Sequence, residues 1–469
     1  MTALPSPAGP EARAARAREI LALALPAAGS ATLLLLHRAV DMAWVKTLGV
    51  EATAALSMGL ISVWLFAGLG ALVGTGLTAL VARYVGAGRL PAAAYVAGQG
   101  LRWAPLLGLL AGALGFVLAP VLYDAASASP AAHAHGVAYT RVYWGGGAAI
   151  LLQLACDAVF RAHGNTRTPF VLGLLGLALN VVLDPLLIHG WGPLPALGVG
   201  GAALANVLSY AVGGGLSAWL LVRRGWAARA RPADADLRLA QDTRLGQPGW
   251  LGLDRAVFAR LTRVGLPLFV SNALFNSIYL VLHALAARAG GSAAQAGLGI
   301  GHAGEGLAFV LGIGWSTAAA TLVGRALGAG RPDEAERCAW AAAWQCAALC
   351  TLWGVVLWLG DTAIAGLWAD DPAAAAHGAA YLRIVALCLG AQALEIVLDG
   401  AFGGAGMTVP PLVISGSLSL LRIPLAAVPV LHWGAGPEAI WIVISATAAV
   451  RGLLCAWWFA RGTWKHRSV

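Results

Sequence analysis

Apolar runs of about 20 residues recur from one end of the chain to the other, and a run of that length crosses the roughly 30 Å hydrocarbon core of a bilayer as a helix. In lipid, every backbone N–H and C=O must be satisfied within a helix or within a closed barrel. The runs are continuous rather than alternating, which excludes a barrel and leaves helices. Composition agrees: 59% of the 469 residues are hydrophobic and 11% are charged, where soluble domains carry about 25%. The chain is therefore expected to be an all-α polytopic membrane protein.

Twelve spans are predicted, near 19–45, 54–83, 93–122, 134–160, 169–189, 198–222, 257–287, 294–324, 336–361, 374–402, 410–432 and 436–460. Residues 1–18 read as a cytoplasmic tail, 19–224 as an N-terminal six-helix bundle, and 225–256 as a polar cytoplasmic linker. Residues 257–460 read as a C-terminal six-helix bundle, and 461–469 as a second cytoplasmic tail. The first span is too long for a secretory signal and lacks a clear cleavage site. Arg13, Arg16 and Arg18 precede it, which predicts a cytoplasmic N-terminus. With this count, Arg83, Arg89, Arg161, Arg167, Arg223, Arg224, Arg325, Arg331, Arg337 and Arg461 fall on the cytoplasmic side, with Lys46 and Arg288 opposite. That asymmetry accounts for the net charge of +9, and no basic stripe with interleaved aromatics suggests nucleic acid. The six cysteines lie in apolar runs without a CxxC pair, which argues for packing over a disulfide or metal site.

One run, Pro169–Ile188, carries Asn180 and Asp184, an i, i+4 pair on one helical face. An acid at the centre of a span costs about 2.5–3.5 kcal/mol on insertion scales. It is kept where it faces protein or a watered cavity, which makes this pair a candidate site.

The two halves echo each other at a nearly fixed shift. Val85–Arg89 (VGAGR) matches Leu327–Arg331 (LGAGR), and Tyr139 and Arg141 match Tyr381 and Arg383. Asp157 matches Asp399, and Gly164–Pro169 (GNTRTP) matches Gly406–Pro411 (GMTVPP), all at 242 residues. Pro26 matches Pro267 at 241. Six spans per repeat, an even number, make the repeats parallel, as in transporters that rock two bundles about a central substrate.

These residues carry a resemblance to the multidrug and toxic compound extrusion (MATE) family of efflux antiporters, over nearly all of residues 19–460. The Asp41-containing stretch Val40–Gly49 (VDMAWVKTLG) and the Asn180/Asp184 pair are similar to its DinF-like branch. The resemblance implies twelve helices in two pseudo-symmetric bundles. It also implies that Asp41, Asn180 and Asp184 meet in the first bundle as a cation or proton site, with Pro26 and Pro267 permitting helix bending. Two carboxylates in low dielectric cannot both stay ionised cheaply, so such a pair holds a proton or a cation. The implied activity is export of amphipathic, often cationic compounds across a bacterial inner membrane in exchange for H⁺ or Na⁺, by a monomer contacting small substrates and lipid. A lipid-linked-precursor flippase of the same superfamily is the alternative reading; the acidic first-half candidates favour the exporter.

Further intramembrane polar residues are His302 and Glu305 on one face of the eighth span, Glu395 and Asp399 in the tenth, and Arg422 at the repeat position of Asn180. They form a possible cavity or secondary site, in which Arg422 is expected to neutralise Glu395 or Asp399. Asp157 is expected to bond loop backbone or pair with Arg161, and the tryptophans, Trp315 among them, to be interfacial or lipid-facing. Without an HExxH helix, a nucleophile–base pair or a phosphate loop, an enzyme is not expected, nor a cofactor or resident metal.

Overall fold

The computed structural model describes residues 9–125, 129–193, 195–233, 252–369 and 371–466; the side chains of 60–62, 64 and 65 also lie outside it. The described elements are helical. They run α1 (Pro10–Val45), α2 (Val50–Gly86), α3 (Leu90–Ala125), α4 (Pro130–Gly145), α5 (Gly147–Ala162), α6 (Arg167–Ile188) and α7 (Val199–Arg223). There follow α8 (Arg255–Gly328), α9 (Pro332–Leu359), α10 (Asp361–Gly366), α11 (Pro372–Ala386), α12 (Leu389–Gly404), α13 (Val409–His432) and α14 (Glu438–Ala460). Among the described residues, nine helices are long and apolar enough to cross a membrane, and the bent pairs α4–α5 and α11–α12 add one span each. Helix α8 has 74 residues, about 110 Å at 1.5 Å per residue. It is two spans broken at Gly290 (φ −152°) and Gly291 (φ +68°), which completes twelve.

The duplication reappears as local geometry. Ser129 caps α4 by accepting from Ala132 N, with Pro130 at the first helical position; Asp371 caps α11 by accepting from Ala373 N, followed by Pro372. Each such helix then breaks within a few residues, with bends of 51° and 64° into α5 and α12. The GAGR motif is a helix stop. Gly88 and Gly330 adopt φ of +73° and +71°. Arg89 N then reaches Tyr84 O and Arg331 N reaches Ala326 O, both at 2.9 Å. That six-to-one closure needs a left-handed residue, which only glycine supplies without strain. The high glycine content also serves packing: a Cβ on Gly452 would come within 2.0 Å of Ala391 O.

Two compact units emerge, and their borders differ from the expected domains. One contains Gly29–Gly265; the other contains the chain up to Ala28 and then from Leu266 on. The bundle assigned to 19–224 thus loses residues 19–28, and that assigned to 257–460 loses 257–265. Arg16 clamps Glu334 at 2.9 and 3.2 Å, and Gly314 packs against Ala24 O and Ala28. Phe258 stacks on Trp103 with ring centroids 4.3 Å apart. The chain changes unit two residues after Pro26 and one before Pro267, inside helices that stay continuous there. Residues 10–18, expected as tail, are the opening turns of α1.

Of the linker read at 225–256, residues 234–251 lie outside the description. Its described ends are pinned to α3. Ala228 N donates to Ala94 O at 2.8 Å, and Arg102 and Gln99 donate to Gly252 O. Gln99 also accepts from Asp254 N, while Asp254 caps α8 through Ala256 N and Val257 N.

Each unit has its own core. Phe66, Tyr143 and Trp144 meet edge-on in one. In the other, Trp315 is buried and donates to Gln345 at 3.1 Å, against the expectation of an interfacial or lipid-facing tryptophan.

Candidate functional site

Helices α1, α6 and α7 of the Gly29–Gly265 unit bring four polar side chains together. Asp41 comes from the last two turns of α1 and Asp184 from the last two of α6, with Asn180 one turn before it. Asn206 comes from α7, packed against α6. All four are at most 4% exposed.

Asn206 Nδ2 donates to Asp41 Oδ2 at 2.7 Å and to Ala202 O, one turn back, at 3.1 Å. The amide nitrogen of Asn180 bridges the acids, at 3.1 Å from Asp184 Oδ1 and 3.5 Å from Asp41 Oδ1. The three residues that the sequence analysis grouped therefore meet. Asn180 Oδ1 and Asp184 Oδ2 are buried without a hydrogen-bond partner among the described residues. Each carries lone pairs and no donor. Buried polar atoms of native proteins nearly all find a partner, so two such oxygens in one cage mark a place for a proton or an oxygen-seeking cation.

Around the cage lie Arg38, one turn before Asp41, and Tyr139, Tyr143 and Tyr210, all within electrostatic reach of Asp41. His37 stacks on Tyr210 with centroids 6.4 Å apart. The sequence reading missed Asn206 and Arg38. A lone Asn in the GGAALANVLSY stretch gives no signal. Arg38 gave one: a charge inside an apolar run is the same clue that singled out Asp184.

The second unit separates its polar residues into smaller groups. Glu395 accepts from Ser415 Oγ at 2.8 Å and pairs with Arg451 at 3.3 Å. Arg451 also donates to Ser419 at 3.2 Å. Arg422, expected to neutralise Glu395 or Asp399, instead donates to Thr447 Oγ1 at 2.6 Å, to Ile444 O at 3.2 Å and to Tyr279 Oη at 3.5 Å. The correction has a geometric cause: Arg451 on α14 reaches the carboxylate first, and the sequence reading had passed over it.

Asp399 accepts from the Cys455 thiol at 3.5 Å. Glu305 accepts from the Tyr381 hydroxyl, and His302 lies edge-on to Tyr279 and Tyr381. Gln153 donates to Asp157 at 2.7 Å, and Arg161 acts on Asp157 through its charge.

A family profile described as MatE matches residues 26–186 and 267–428. The chain is similar to a probable multidrug resistance protein NorM of Thermotoga maritima, 27% identical over 99% of this chain and 96% of the relative. It is also similar to an FAD transporter of Shewanella oneidensis, 25% identical over 88% of each. Its fold matches the crystal structure of the Vibrio cholerae MATE transporter VcmN in the bent form, with a TM-score of 0.84 and 21% identity over 96% of this chain and 97% of that one.

Proposed function

This chain belongs to the MatE family of membrane transporters, and on that premise we propose that it is an antiporter exporting amphipathic, often cationic drugs or toxic compounds in exchange for H⁺ or Na⁺. It is a multi-pass membrane protein and not an enzyme. The observation that carries the coupling is the cage of Asp41, Asn180, Asp184 and Asn206, with two oxygens that lack a hydrogen donor. A proton or cation held there relieves the repulsion of two buried carboxylates, and its departure restores it. The charge of the cage then biases α1 against α6 and α7, a local switch with a global readout. Pro26 and Pro267 remove a backbone hydrogen bond from α1 and α8 beside the points where each helix changes unit, which favours bending there.

The relatives' names support multidrug export. The arginine asymmetry supports a bacterial inner membrane with both termini cytoplasmic, and a monomer suffices because the cage is complete within one chain. The test is efflux from proteoliposomes under an imposed pH or Na⁺ gradient, with a cationic dye and with FAD as separate substrates. Gradient-driven efflux that falls in Asp41→Asn and Asp184→Asn supports the reading. Efflux unchanged in both variants overturns the assigned cage, and gradient-independent movement of a lipid-linked precursor, with no efflux of either substrate, favours the flippase.

A further inference from the structure

The second unit buries three acids in its membrane helices, and they differ in what neutralises them. Glu395 has an arginine on it, and Asp399 shares its helix face one turn on. Glu305 on α8 has neither. Its carboxylate accepts from the neutral hydroxyl of Tyr381, and the Gln392 amide faces it as well. The two nearby arginines are committed elsewhere, Arg451 to Glu395 and Ser419, and Arg422 to Thr447, Ile444 O and Tyr279; both act on Glu305 only from a distance.

One turn before Glu305, His302 is enclosed by aromatic edges, 4.9 Å from the Tyr279 ring and 5.9 Å from that of Tyr381. His283 lies 5.9 Å away across α8 with its Nδ1 on Tyr279 O. His302 Nε2 is buried without a hydrogen-bond partner among the described residues. Thus a carboxylate without a direct counter-charge and an imidazole nitrogen without a partner share one helix face.

We propose that Glu305, with Tyr381 and His302, is a second proton-binding centre, built into the unit that lacks the Asp41 cage. The proton adds to the free carboxylate oxygen and converts the anion to a neutral acid; Tyr381 keeps its own proton. Burying an ionised carboxylate without a paired cation is costly, and a bound proton removes that cost. The residue at the repeat position of Glu305 is Val63, so the duplication did not supply this acid to both units.

Binding has a mechanical consequence. Tyr381 lies flat on α8 because residue 301 is glycine; a Cβ there would come within 2.1 Å of its ring. Tyr381 is also in α11, six residues before the 64° bend into α12. A protonated Glu305 is a weaker acceptor for the Tyr381 hydroxyl, which loosens α11 from α8 next to that bend. The proposal does not depend on the Asp41 cage.

Its test is infrared difference spectroscopy of the purified full chain across a pH titration, following the carbonyl band of protonated carboxylic acids. One band is expected to vanish in Glu305→Gln and to survive in Asp41→Asn. The same band is expected to change frequency in Tyr381→Phe, which removes the hydroxyl on the carboxylate. Glu305→Asp keeps an acid at the position, and a shifted band there supports the assignment should Glu305→Gln fail to fold. A spectrum of Glu305→Gln or Glu305→Asp identical to wild type overturns the proposal. Loss of the band in Asp41→Asn with retention in Glu305→Gln assigns it to the other unit and overturns the proposal equally. Because the readout needs neither substrate nor gradient, it stands or falls separately from the transport assay.

Discussion

In the Gly29–Gly265 unit, two buried acids are held by asparagine amides; in the unit that continues from Leu266, the deepest acid is held by an arginine. At the repeat shift, Asn180, Asp184 and Asn206 become Arg422, Ala426 and Ala448. One ancestral frame therefore carries an acidic, exchangeable cage in one copy and a permanently neutralised pair in the other. The lesson is that helix stops, breaks and caps are kept at fixed offsets while polar interiors diverge. The stops constrain the backbone of both copies alike, whereas a charge inside lipid answers only to its own partners.

The contrast is open to attack by substitution. The largest effect is expected from Arg451→Met, which strands the Glu395 charge. Unfolding of the purified protein should be easier by about 3–5 kcal/mol, and the double variant with Glu395→Gln should recover most of that. If the double variant is no better than the single one, the pair is not what neutralises Glu395.

Next come Asp41→Asn and Asp184→Asn. Gradient-coupled efflux should fall about 5- to 150-fold, the span of an ordinary coupling free energy, with near-normal folding. An equal fall in an Asp399→Asn variant would erase the distinction between the units.

Gly88→Ala and Gly330→Ala probe what the units share. Both positions have nearly the same positive φ, so each should cost roughly 1–2 kcal/mol. Unequal costs would show that the two helix stops are not equivalent.

The smallest effect is at Lys465, whose amine is held above its ordinary value chiefly by its hydrogen bond to Glu336, with Asp333 adding to it. A base held up in this way contributes stability at neutral pH and loses it as pH rises through its raised titration. Lys465→Met should therefore cost about 0.2–1 kcal/mol at neutral pH, and the gap should close in strongly alkaline buffer.

Much of this was legible in the chain. Span count followed from apolar run length, because a bilayer sets that length for every helix. Repeats followed from glycines whose backbone angles no other residue tolerates. Asp41, Asn180 and Asp184 were found because an acid in lipid demands an explanation. Asn206 was not, because an amide in a small-residue helix carries no charge to betray it. Arg451 and Arg38 were missed although the same rule applied to them. The pairing of Arg451 with Glu395 depends on which helices are neighbours, and that is set by packing across the bundle rather than by any local pattern. Unit borders were also hidden, since α1 and α8 run straight through them as continuous helices.

That last feature bears on how the chain is made. Residues 10–28 leave the ribosome first, yet their packing partners lie beyond Leu266. The opening helix must therefore wait, half-docked, until the second half has been synthesised. Two fragments severed within the 234–251 stretch would each lack a helix end belonging to the other. Co-expressed, they should recover stability that neither has alone, making biogenesis of this duplicated protein a closing of interlocked halves rather than two successive foldings.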